Sequence, residues 1–181
     1  MSANKLWGPL LVLSSAASSL VFACVTPFAA FAVITTMTMP LRQALGTVAA
    51  VWFANQAVGF GFLGYPIAAD SIAWGLVMGV AVLAATLCSA AALTRLSSRY
   101  DGVTKYAAGF AAAFGTYQGG LILTAVATGD MAAFSAEIIG GIAVLNGVWT
   151  VALAGVHLLL TRMEVLFPQA ARQRHMQAMR A

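Results

Sequence analysis

TPFAAFAVITTMTMPLRQALGTVAAVWFANQAVGFGFLGYP, residues 26–66, sets two apolar segments between three prolines. A proline disfavours helix at the residue before it, so the chain is expected to break at Thr26 and again at Met39. The first segment, 27–39, rises about 20 Å, less than the roughly 30 Å of a hydrocarbon core. The second, 43–63, is long enough to cross and ends in a Gly-Tyr-Pro turn. Upstream, 7–24 is also apolar. Two readings follow: 7–24 and 27–39 are separate spans, making six in the chain, or they are halves of one kinked helix, making five.

Working outward, the remaining apolar runs predict spans over 70–94, 106–127 and 137–161. The six-span reading places all nine Lys and Arg residues on one side. They are Lys5, Arg42, Arg95, Arg99, Lys105, Arg162, Arg172, Arg174 and Arg180. Asp70, Asp130 and Glu137 fall on the other side. Lys and Arg accumulate in cytoplasmic loops, so this reading, which we prefer, puts both termini in the cytoplasm. With five spans Lys5 moves outside. The expected architecture is an all-α, multi-pass bundle of the cell (inner) membrane. It has one six-helix domain over 1–165 and a basic cytoplasmic tail over 166–181. The N-terminal run has the look of a signal peptide, but its removal would upset the charge layout, so we read it as the first span, retained.

Composition agrees. The chain of 181 residues is 61% hydrophobic and 8% charged, against about 25% charged in a soluble domain. Its mean hydropathy is +0.91. The net charge of +4 does not imply nucleic acid, because the cations flank membrane segments without interleaved aromatics. They suit anionic lipid instead. Cys24 and Cys88 sit in apolar spans and read as small buried side chains. No phosphate loop, GxSxG, HExxH or Cys-His constellation occurs, and no carboxylate sits mid-membrane. Nothing points to an enzyme, a metal or a cofactor.

Polar residues inside the spans are few, and each needs a partner or a ligand. Asn55 and Gln56 lie in the third span, Gln118 in the fifth and Asn146 in the sixth. Counted from the proposed outer ends, Asn55, Gln118 and Asn146 all lie about 12–14 Å deep. Trp52 shares a face with Asn55, and Trp149 with Asn146; Tyr65 and Trp74 stand near the outer boundary. This pattern fits an outward-facing pocket for a small molecule or an amide network that fixes helix packing. Trp7, Tyr65 and Trp74 also fit an interfacial aromatic belt. His157 reads as a packing residue, and Asp130 and Glu137 as caps for the sixth helix. Small residues recur at Ser15/Ser19/Ala23, Ala107/Ala111/Gly115 and Gly140/Ala143/Gly147. Such stripes let helices approach in lipid, within the bundle or, on span one, against a partner.

The length, the six spans, the Ser15/Ser19/Ala23 stripe and residues 26–66, with Pro40 and Arg42 ending the first segment, resemble the substrate-binding S-components of energy-coupling-factor vitamin transporters. That family's stripe has alanines where this chain has serines at two positions. The resemblance implies a vitamin or related micronutrient bound near the outer face. Asn55, Gln56, Gln118, Asn146 and Trp149 would contact it, and Trp52 and Tyr65 would stack on a ring. It implies a membrane coupling subunit, met through Ser15, Ser19 and Ala23, and two partner ATPases. Neutral amides and aromatics suit an uncharged or zwitterionic heterocycle. A stand-alone permease and a ligand-free assembly protein are the competing readings.

Overall fold

The computed structural model describes residues 3–22, 26–96 and 100–166. Ala23 and the tail beyond Leu166 lie outside them. Six helices follow in chain order: α1 (Ala3–Phe22), α2 (Phe28–Thr38), α3 (Leu41–Gly61), α4 (Ala69–Arg95), α5 (Gly102–Thr128) and α6 (Ala136–Leu166). Helices α4 and α5, and α6 over Ala136–Met163, are long and apolar enough to cross a membrane. The apolar stretches Leu6–Val21 and Phe28–Thr38 are shorter.

Pro27 and Pro40 stand just outside the two ends of α2, where they stop helix continuing from either side. Between them every residue from Phe28 to Thr35 is buried. A helix that is apolar all round belongs in an interior, and α2 is the axis against which α3, α4, α5 and α6 pack. Its eleven residues rise about 16 Å, so α2 stands inside the bundle as a half-length helix. Its threonines are satisfied locally, and two of them also reach neighbours: Thr36 meets the Ser89 hydroxyl of α4 and Thr38 accepts from Trp7 of α1. Thr35, Thr36 and Thr38 turn their hydroxyls back onto the carbonyls of Phe31, Ala32 and Ile34, a bond that a helix allows Thr to make four residues back.

Cross-helix contacts fix the directions. Trp7 Nε1 donates to Thr38 Oγ1 at 3.0 Å, and Ser19 and Thr26 hydroxyls meet at 3.1 Å, so α1 and α2 form an antiparallel hairpin. They are therefore two helices and not one kinked helix. Ser15 reaches the Val51 carbonyl and Asn55 reaches Ser19, so α1 and α3 run parallel. Trp52 lies against Gly79 and Gln56 against Gly75, which sets α4 antiparallel to α3. Gly109 faces Ser89 and Gly120 faces Ala81, setting α5 antiparallel to α4. Helix α6 meets α2 at Ala30 and Phe31 and α1 at Trp7, and so runs with α2. Directions alternate along the chain. Helix ends bearing Arg42, Arg95, Lys105 and Arg162 thus share one end of the bundle, and Asp70, Asp130 and Glu137 share the other.

Turns obey local chemistry. At the basic end Asp101 caps α5, its carboxylate accepting the Thr104 N–H at 2.8 Å. The Thr104 side chain, and then this N–H, hold the Asp101 carboxyl below its ordinary value. At the acidic end Gly129 closes α5 in the left-handed conformation, φ 79°, and the Asp130 N–H returns to the Ala125 carbonyl.

Three packing expectations need correction. Cys88 is exposed on α4, not buried. Trp7 is not a belt residue: it is 2% exposed, hydrogen-bonded to Thr38 and 4.9 Å from the His157 ring. A tryptophan at a helix end is drawn inward when a buried acceptor meets its N–H. The Ala107/Ala111/Gly115 stripe faces outward. The close approach is made one face away, where Gly109 admits Ser89 and Val33 and Ala113 is fully buried.

The tightest fit is between α3 and α4. The Trp52 indole lies in the groove left by Gly75 and Gly79 and donates Nε1–H to the Gly75 carbonyl at 2.8 Å. A Cβ on Gly79 would stand 2.7 Å from the indole Cε2. Gly79→Ala should therefore destabilise the fold by about 1–3 kcal/mol, overlap outweighing the usual helical gain from alanine. Gly147→Ala on α6, where a Cβ meets nothing, should be neutral or slightly stabilising. Thermal unfolding of the two variants in detergent reads the contrast, and equal melting temperatures would show that the groove is not close-packed.

Candidate functional site

The break between α1 and α2 supplies the polar centre. Where a chain leaves one helix and enters another inside an apolar bundle, backbone groups lose their intrahelical partners. Here Asn146 of α6 reaches one of them, the Ala30 N–H, while Ser19 of α1 and Asn55 of α3 gather on the Thr26 hydroxyl just before α2. Asn55 Nδ2 donates to Ser19 Oγ at 3.0 Å and to Thr26 Oγ1 at 2.6 Å. Its Oδ1 accepts from Gln56 Nε2 at 3.1 Å. Ser19 also donates to the Ser15 carbonyl, and Ser15 to the Val51 carbonyl. One connected network thus ties α1, the α1–α2 break and α3.

On the opposite side Asn146 serves α2 directly. Its Oδ1 accepts the Ala30 N–H at 3.1 Å, one of the first-turn donors that α2 itself cannot satisfy. Its Nδ2 donates back to the Ile142 carbonyl at 2.9 Å. Thr150 and Leu153 continue the same inward face of α6. Trp149, one turn on from Asn146, packs its ring 6.1 Å from Phe31.

Helix α5 reaches the same level from a third side. The Tyr117 ring lies 5.7 Å from that of Phe28, the first residue of α2. Next to it, Gln118 is 4% exposed, and its Oε1 is fully enclosed with no hydrogen-bond partner. Among the described residues it is the one enclosed side-chain oxygen or nitrogen in that position.

The residues expected to line a site therefore divide. Asn55, Tyr117 beside Gln118, and Asn146 all reach residues 26–30 of the chain, which is the common depth inferred from their spacing. They do not meet one another in a single cluster, because the start of α2 stands between them. Trp52 and Gln56 face α4 at Gly75 and Gly79. Tyr65 lies apart, beyond the end of α3, where its ring covers Gly59 and packs edge-on to Phe60. At the acidic end Trp74 stacks on Phe134 of the α5–α6 connection. Ser15 and Ser19, expected to face a partner, are buried against α3. The outward face of α1 is instead Leu6, Leu10, Leu13 and Leu20.

Sequence reading missed Thr26, Gly75 and Gly79. Thr26 was available as the hydroxyl next to the Pro27 break, and the two glycines as a small-xxx-small pair on α4. Among the described residues no three His, Cys, Asp or Glu side chains gather as metal ligands would. Compared with known proteins, the chain matches no family model, and neither a curated protein nor a solved structure is significantly similar to it.

Two amides should respond oppositely to removal. Asn55→Leu strips partners from Ser19, Thr26 and Gln56 and should cost about 1–3 kcal/mol. Gln118→Leu removes an enclosed, unpaired amide oxygen and should raise stability by a similar amount. Asn146→Asp keeps the acceptor for Ala30 but loses the donor to Ile142 and buries a carboxyl, and Asn146→Leu leaves the Ala30 N–H unpaired; both should melt below the wild type. Unfolding of the purified variants in detergent checks all four; a destabilised Gln118→Leu would mean that its amide is paired after all.

Proposed function

We propose that this chain is a membrane-embedded solute-binding protein that takes up a small uncharged or zwitterionic molecule, with a binding site at the buried start of α2. In this reading it sits in the cell (inner) membrane with its basic end in the cytoplasm, and six helices cross or enter the bilayer. The observation that carries the proposal is the combination of a helix that begins inside the bundle with an enclosed amide oxygen, Gln118 Oε1, that has no hydrogen-bond partner. Discontinuous helices whose ends lie at membrane depth are the usual way such proteins present backbone polarity to a solute. Buried polar groups are almost always paired, so an exception invites a functional explanation.

Residues 26–66 supply the transport context. Their resemblance to the S-components of energy-coupling-factor transporters suggests that partner ATPases and a coupling subunit supply the energy, as the chain carries no nucleotide-binding loop of its own. Ser15 and Ser19 are engaged with α3, so a coupling subunit would meet other parts of the surface.

A second reading draws on a specific observation. Asn55, Gln56, Trp52 and Asn146 all find partners within the chain, as they would in an assembly protein whose amides serve packing alone.

Mass spectrometry of small molecules extracted from the detergent-purified protein separates the two. An unrelated bundle of similar size, purified in parallel, is the control. A heterocyclic micronutrient enriched in the first sample, together with its reduced uptake by cells lacking the protein, is the expected result. Well-folded protein that yields no solute, and cells whose uptake is unchanged, would leave the packing role.

A further inference from the structure

We infer that Gln118 is the polar anchor for the solute, and that the solute offers it an amide-like edge: an N–H beside a C=O, as in a lactam, a cyclic urea or a pyrimidinone. This rests on the solute-binding reading and narrows it to a chemical class.

Position comes first. Gln118 follows Tyr117, whose ring packs on Phe28, so it stands at the level where α2 begins. Phe114 and Leu121 flank it at one turn before and one turn after, both packed against the core. Ala125, two turns on along the same face, is fully buried. The amide is therefore turned into the protein between apolar neighbours, not toward lipid.

The chemistry of the group then selects its complement. A primary amide presents an acceptor and donors side by side in one plane. Its matching edge places a donor against the oxygen and an acceptor against the nitrogen, and this holds whichever way the amide is turned. A carboxylate satisfies only the donors, and an ammonium only the acceptor. Either ion would also need a counter-charge, and among the described residues the buried polar side chains are Ser, Thr, Asn and Gln, with no Asp, Glu, Lys or Arg. Asn55 and Asn146 do not compete for the role, because both are committed to protein partners. A site built on one such amide discriminates strongly against analogues that lack the matching donor.

The test uses the full chain in detergent and two probes, 2-imidazolidinone and 1,3-dimethyl-2-imidazolidinone. The second keeps the ring and carbonyl but has no N–H. Binding is followed through the side-chain amide resonance of Gln118, identified by its loss in Gln118→Met. The expected result is a saturable shift with the unmethylated probe and affinity lower by about tenfold or more for the dimethyl probe, the order of one hydrogen bond. Gln118→Met and Gln118→Leu should weaken the unmethylated probe to a similar degree while remaining folded. Equal binding of both probes, or affinity unchanged in both variants, overturns the anchor; if a solute still copurifies, the solute-binding reading survives without it. Resonance contact with water alone, no probe binding and no copurified solute overturn both.

Discussion

The hydrogen bond from the Ala30 N–H to Asn146 Oδ1 meets the constraint around which the bundle is organised. Helix α2 is apolar on every side and so is buried on every side. A buried helix must also begin somewhere, and its first N–H groups cannot be left bare in an apolar interior. Asn146 brings α6 to that point, and Thr26, held by Asn55 and Ser19, brings α3 and α1. Ser19, Thr26, Asn55 and Asn146 are thus gathered at the level where α2 begins.

Around that axis, two kinds of contact hold the helices. Between α3 and α4 the fit is steric, with an indole laid in a glycine groove and one hydrogen bond to backbone. Between α1 and α3 it is polar, a chain of hydroxyl and amide bonds through Ser15, Ser19 and Asn55. Lipid tails are as apolar as leucine, so burial alone gives little reason for helices to associate in a bilayer, and both kinds of contact supply what it lacks. Helix α6 is held at separate points along its length, by Asn146 on Ala30, Trp149 on Phe31 and His157 on Trp7.

Gln118 stands outside this economy of paired groups. Leucine at that position would suit a core serving packing alone, since an enclosed unpaired amide oxygen opposes folding. Natural sequences tend to break such local rules where function requires it. Its neighbours Tyr117, Phe114 and Leu121 give the surroundings an apolar character in which a single amide would dominate recognition.

How much of this was legible beforehand follows from what each signal depends on. Proline positions and apolar run lengths are local properties, so the breaks at Pro27 and Pro40 and the short α2 between them could be read directly. Charge placement depends on loop order, and among the described residues alternating helix directions put Arg42, Arg95, Lys105 and Arg162 at one end of the bundle. The common depth of Asn55, Gln118 and Asn146 needed only helical rise. Sequence by itself thus determined an all-helical membrane-type chain and the level of its polar residues. The tertiary structure decided which of those residues are engaged: depth is fixed by distance along a helix, whereas a partner is fixed by rotation about the axis and by what the next helix presents. Asn55 meets Thr26, Asn146 meets the Ala30 N–H, Trp7 turns inward to Thr38, and Gln118 meets nothing, because only packing brings, or fails to bring, the opposing group within hydrogen-bond reach.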